Sequence, residues 1–113
     1  MGYIKHHAIV VTSWDNELLE KVHDRARDIF NGTTALLTLI TPATINGYAS
    51  FLIAPDGSKE GWAESDIGNE KRKEFIDWIE VTGEMIGHPM SLNYIEVQFG
   101  DDHGETKIIR HSD

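Results

Sequence analysis

Asp101, Asp102, His103 and Glu105 place four metal-capable side chains within five positions. Carboxylate oxygens and an imidazole at that density suit a divalent cation. With a bound metal, Asp101, Asp102 and His103 would suit phosphodiester hydrolysis. The same residues, flanked by Gly100 and Gly104, also make an ordinary polar hairpin turn. Their spacing fits no calcium loop, so no metal site is assigned. His6 and His7 are adjacent on an expected strand and face opposite sides, so they cannot chelate one ion together. His7-Ala8-Ile9 lacks the hydroxyl residue of a two-histidine phosphoesterase motif. Ser50 and Ser58 lack the nucleophile elbow G-x-S-x-G. No glycine falls in the phosphate-loop spacing, and there is no cysteine nucleophile or thiolate ligand. No catalytic residue and no cofactor are assigned, and the chain reads as a binding protein more readily than as an enzyme, with enzyme status left open.

Binding chemistry has better material. Arg27, Tyr48, Lys59, Trp62, Arg110 and His111 are aromatic or cationic residues, most of them at expected strand ends and turns. Aromatic faces stack on bases, and an arginine fork matches phosphate oxygens. Singly, each has a plainer role. Trp62 can cover a core edge, Trp78 can pack within a helix, and Arg25 and Arg27 can belong to a solvated helix face paired with acidic neighbours. Only convergence of several would make a site.

Length and charge bound the partners. A chain of 113 residues, 40% hydrophobic and 26% charged, suits one small α+β domain, residues 1–113. A core of that size leaves room for extra burial by homo-oligomerisation, through Tyr3, Phe51, Trp62 and Tyr94. A net charge of −9 argues against duplex nucleic acid as a partner. A small anionic ligand remains open if the few cations converge. No apolar run approaches the roughly 20 residues of a membrane helix. The N-terminal MGYIKHHAIVV has too short an apolar stretch for a signal peptide. The expected location is the cytoplasm, away from the membrane.

The elements that must position these residues follow from periodicity. Tyr3–Ser13 reads as a strand, and Ser13 or Asp15 can cap the helix that ends at Phe30. Leu18, Leu19, Val22, Ala26, Ile29 and Phe30 form its apolar stripe. Ala35–Ile40 reads as a strand, and Asn46-Gly47 as a turn. Tyr48–Ala54 reads as a strand that Pro55-Asp56-Gly57 turns back into a returning strand, SKEGWA. A second helix starts near Asp66 or Asn69 and presents Phe75, Ile76, Ile79 and Ile86. Leu92–Phe99 alternates, with Leu92, Tyr94, Glu96 and Gln98 on one side. TKIIRH closes the chain. The expected fold is α+β: about six short antiparallel strands with two helices packed on them, in the order β-α-β-β-β-α-β-β.

The phrases KHHAIVVTSWD, INGYASFLIAPDGSKEGWAESD, IEVQFGDD and RHSD resemble a family of small uncharacterised bacteriophage proteins, especially those of actinobacterial phages. The expected architecture is in turn similar to that of the phage anti-Thoeris sponge proteins. That likeness implies a homo-oligomeric anti-defence protein. It would sequester a cyclic nucleotide immune signal, such as a cyclic ADP-ribose isomer or cyclic oligonucleotide, without cleaving it. It implies arginines on phosphate, here Arg27 and Arg110, and an aromatic stacker among Tyr48, Phe51 and Trp62. Two other functions stay open: a protein-interaction module that inhibits a host protein, and the small phosphodiesterase built on Asp101, Asp102 and His103.

Overall fold

The computed structural model describes residues 6–31, 36–55, 62–86, 92–100 and 106–112. β1 (His6–Ser13) is followed by α1 (Asn16–Ile29), β2 (Ala49–Ile53), α2 (Ala63–Ile86), β3 (Leu92–Phe99) and β4 (Lys107–His111). The strands form a four-stranded antiparallel sheet in the order β2-β1-β3-β4.

β1 is the organising strand. Val11 lies opposite Phe51 on one side and Tyr94 on the other, and Ile9 lies between Ile53 and Glu96. Residues paired in register share a face. Ile9, Val11, Phe51, Ile53, Leu92 and Tyr94 therefore make one apolar layer, and Leu19, Val22, Phe75, Ile76 and Ile79 of the helices pack into it. Phe30, Phe75 and Phe51 form a chain of aromatic contacts with ring centres 6.0 and 6.4 Å apart. The opposite face of the sheet bears no described helix. Val10, Phe99 and Ile108 are exposed there.

α1 starts where Asp15 takes the N-cap. Its carboxylate accepts from the Leu18 amide at 3.1 Å, so Asp15 is the cap and Ser13 is not. The Asn46-Gly47 turn puts two consecutive residues at positive φ, 53° and 76°, with the Tyr48 amide donating to the Ile45 carbonyl. Asn16 Nδ2 donates to the Gly47 carbonyl at 3.1 Å and ties this turn to the start of α1. At the other end of α1, Lys71 Nζ donates to the Ile29 carbonyl at 2.7 Å, a cation at the negative end of the helix dipole. Arg25 lies over the ring of Trp78 in α2 at 5.8 Å.

Among the described residues the sheet has four strands where about six were expected. Residues 36–40 of the segment expected as a strand, Ala35–Ile40, do not form one, and Ala35 lies outside the described residues. Residues 36–41 run beside β2, but only Leu37 makes a bridge, to Ile53. Threonine side chains replace part of the ladder. The Leu52 amide donates to Thr38 Oγ1 at 2.9 Å and the Ser50 amide to Thr41 Oγ1 at 3.0 Å. A hydroxyl on a flexible side chain satisfies an edge amide without the extended backbone of a partner strand. The returning strand SKEGWA also fails where it is described. The Trp62 carbonyl accepts from the Ser65 and Asp66 amides, and Ala63 already belongs to α2. Asp56 to Gly61, including Gly57 and Lys59, lie outside the described residues, as does Tyr3. α2 thus starts earlier than Asp66, and it runs through Gly83 before ending at Ile86.

His23 is a buried polar residue at the junction of α1 and the 36–41 segment. Its Nε2 lies 2.8 Å from the Thr38 carbonyl, and its ring meets Phe51 edge-on at 4.9 Å. Arg27 Nη2 donates to Nδ1 at 3.4 Å. A guanidinium can only donate, so the imidazole proton sits on Nε2 and donates to Thr38. We expect His23→Leu to leave that carbonyl unpaired and to cost about 1–3 kcal/mol. Phe75→Ala, at the centre of the aromatic chain, should cost about 3–5 kcal/mol. Urea unfolding of both variants checks the two values. A Phe75→Ala loss smaller than that of His23→Leu would contradict the assigned core.

Candidate functional site

α2 presents its buried side to the sheet through Phe75, Ile76 and Ile79. The same helical phase turns Asn69, Lys73, Asp77 and Glu80 toward β3 and β4. Between them lies a cleft of about 410 Å³ lined by His7, Asn69, Lys73, Glu96, Ile109 and Arg110. The cleft draws on four elements: β1 supplies His7, β3 supplies Glu96, β4 supplies Ile109 and Arg110, and α2 supplies Asn69 and Lys73. A register shift between β3 and β4 at Glu96/Val97 helps to shape it. Arg110 pairs with Glu96 and Ile108 with Val97, so Ile109 is the extra residue of a β-bulge.

Arg110 is held in place by two carboxylates of α2. Nη1 donates to Asp77 at 2.8 Å and Nη2 to Glu80 at 2.7 Å. The Tyr94 hydroxyl donates to the other oxygen of Glu80 at 2.6 Å, and Lys73 donates to Asp77 at 2.8 Å. The partial burial of Arg110 works to lower its pKa. The Asp77 and Glu80 hydrogen bonds outweigh that, and the net shift is upward. Lys73 first, and Arg110 second, hold the Asp77 carboxyl below the ordinary aspartate range.

Glu96 is a charged residue on the core face of β3, only 7% exposed. Burial pushes its carboxyl pKa up, and the positive charge of Arg72, with His7 and Arg110, opposes the rise. Arg72 Nε stands 3.7 Å from Glu96 Oε2, an ion pair longer than a hydrogen bond. Nη2 of Arg72 bonds the Asn69 side chain.

Of the residues assigned from sequence, Arg110 alone among those described lines this cleft. Arg27 is on α1, bonded to Asp24 and His23. Tyr48 is exposed just ahead of β2, on the far edge of the sheet. Trp62 is exposed at the start of α2. His111 sits opposite Ile95, on the sheet face turned away from the helices. Phe51 and Tyr94, expected at contacts or as a stacker, are buried in the core. Lys59, Asp101, Asp102, His103 and Glu105 lie outside the described residues. Sequence reasoning missed His7, Asn69, Lys73, Glu96 and Ile109. One signal was present: Glu96 is in phase with Leu92 and Tyr94, so a charge shares the apolar side of β3. His6 and His7 do face opposite sides, His6 toward Phe99 at 5.4 Å and His7 toward the cleft. Among the described residues, no three metal-capable side chains come together, and no helix is long and apolar enough to cross a membrane. No family model, curated protein or solved structure matches the chain.

The two shifted carboxylates have opposite effects on stability. The folded pKa of Asp77 is lowered, so its pairs contribute fully above the unfolded value of 3.8 and are lost as pH falls through the folded value. The folded pKa of Glu96 is raised. Its unfavourable contribution appears as pH rises from 4.5 through the folded value. Asp77→Asn should therefore flatten the acid limb of the melting-temperature profile. Glu96→Gln should remove a decline on the rising side. Thermal melts from pH 2 to 8 read both, and a profile unchanged by either variant would contradict the assignment.

Proposed function

We propose that the cleft binds a small phosphate-bearing nucleotide and holds it without cleaving it. One observation carries this reading: in a chain of net charge −9, Lys73 and Arg110 converge on one concave surface, beside the His7 imidazole. Scattered cations would be screened beyond about 8–10 Å at physiological salt, whereas clustered ones act together on an anion. A volume of about 410 Å³ falls in the range of small-molecule sites. Asp77 and Glu80 engage two of the five N–H donors of Arg110, which orients the guanidinium and leaves donors for a ligand. With the sequence phrases that resemble phage proteins, this supports a sequestering, anti-defence role in the host cytoplasm, directed at a cyclic nucleotide signal.

The chain is also proposed to form a homo-oligomer. The support is the sheet face that no described helix covers, with Val10, Phe99 and Ile108, which replaces Phe51 and Tyr94 as the candidate contact. The same face serves a second reading, in which the chain inhibits a host protein by binding it there.

Calorimetric titration with cyclic di- and trinucleotides and cyclic ADP-ribose isomers, followed by heat denaturation and chromatography of the released ligand, separates the readings. Sequestration returns intact ligand. A phosphodiesterase returns product, and a protein inhibitor binds none of the panel. Lys73 is largely exposed, so Lys73→Ala should fold normally and weaken binding by about 1.5–3 kcal/mol. Arg110→Ala should weaken binding too, but it also releases Asp77 and Glu80, so its melting temperature must be read beside its affinity. Wild-type protein that binds none of the panel would overturn the proposal.

A further inference from the structure

Among the described residues, Glu96 is the one acid that lines the cleft, and it has capacity that its described neighbours leave unused. A carboxylate offers about four acceptor positions on two oxygens. Among the described residues, no side-chain or backbone donor makes a hydrogen bond to it, and its ion-pair contact is the Arg72 Nε at 3.7 Å. The Glu96 side chain is nine-tenths buried, yet its oxygens are not among the fully enclosed unsatisfied atoms, so they keep an opening through which a partner can pair them. Its place in the cleft lining lets a ligand be that partner.

We propose that Glu96 selects the base of the bound nucleotide, and that this base is guanine. The inference rests on the nucleotide-binding reading above and adds the identity of the ligand. Two parallel N–H donors match the two oxygens of a carboxylate, as in arginine–carboxylate forks. Guanine presents that pair at N1–H and the exocyclic N2–H. Adenine places an acceptor nitrogen beside its amino group, as does cytosine, and that lone pair would face the carboxylate. Uracil and thymine offer one N–H between two carbonyl oxygens. Guanine alone among the common bases fills both oxygens of Glu96 without setting an acceptor against it. Ile109, displaced by the β-bulge into the cleft lining, offers an apolar surface to the base. Lys73 and Arg110 serve the phosphates. The Arg72 charge beside Glu96 keeps the carboxylate from standing as a lone buried anion before ligand arrives.

The test needs no variant. Wild-type protein is titrated with three cyclic dinucleotides of identical backbone that carry guanine, hypoxanthine or adenine. Hypoxanthine keeps N1–H and lacks the exocyclic amino group, so it removes one of the two bonds. The guanine compound should bind at least tenfold tighter than the hypoxanthine compound and at least a hundredfold tighter than the adenine compound. Glu96→Gln, checked by its melting temperature, should reduce the guanine-over-adenine ratio to within a few-fold, since a carboxamide can serve either edge. Equal binding of guanine and adenine by the wild type, or tighter binding of adenine, would overturn the guanine assignment and leave nucleotide binding standing. Binding of no nucleotide would overturn both. If Glu96→Gln does not fold, the three-ligand series alone decides.

Discussion

Phe75, Ile76 and Ile79 fix the rotation of α2 about its own axis, and the cleft depends on that angle. All three are buried against the layer formed by β1, β2 and β3. At 3.6 residues per turn, putting these three inward leaves Asn69, Lys73, Asp77 and Glu80 along one flank. That flank faces β3 and β4, where Arg110 and Tyr94 meet Asp77 and Glu80. The apolar contacts supply the energy and the ion pairs supply the lateral position. A helix rotated by one residue would carry Lys73 away from Glu96 and leave Arg110 without its two carboxylates.

The electrostatics of the cleft follow from this arrangement. Arg72, Lys73 and Arg110 stand close to Glu96, Asp77 and Glu80, so charge is nearly balanced within the site while the whole chain is strongly acidic. The balance is uneven in kind. Asp77 and Glu80 are half-exposed and hydrogen-bonded, whereas Glu96 is buried and, among the described residues, is met by the longer Arg72 ion pair. N–H donors on Lys73 and Arg110 together with an acceptor on Glu96 suit a ligand that carries both acceptor and donor groups.

Periodicity made much of the fold legible. Leu92–Phe99 is a strand over its expected span, Lys107–His111 lies within TKIIRH, and the α1 stripe of Leu18, Leu19, Val22, Ala26 and Ile29 is the buried one. The strand at 35–40 was misread because an apolar run beside an edge looks the same whether backbone or threonine hydroxyls complete the hydrogen bonds. The start of α2 was misread because SKEGWA was taken as a returning strand after Pro55-Asp56-Gly57, whereas Ala63 already belongs to the helix. The cleft was less legible than the fold. Arg110 stood out by type, but His7, Lys73 and Glu96 meet only through strand register and helix phase, and neither is visible in a linear pattern. Arg27 had the right chemistry and the wrong face: its guanidinium serves His23 and Asp24.

The threonine hydroxyls beside β2 also affect how the sheet can grow. Thr38 and Thr41 occupy the Leu52 and Ser50 amides, so the β2 edge is blunted, while β4 is the other end of the sheet. A sheet open at both ends can recruit copies without limit, the route to fibres. A sheet open at one end behaves as a terminator. Two copies that join through β4 use up both open edges at once and leave a blunted strand at each extremity. If copies joined through β4, strand addition would stop at a pair, and polymer formation through the sheet would require peeling residues 36–41 away first.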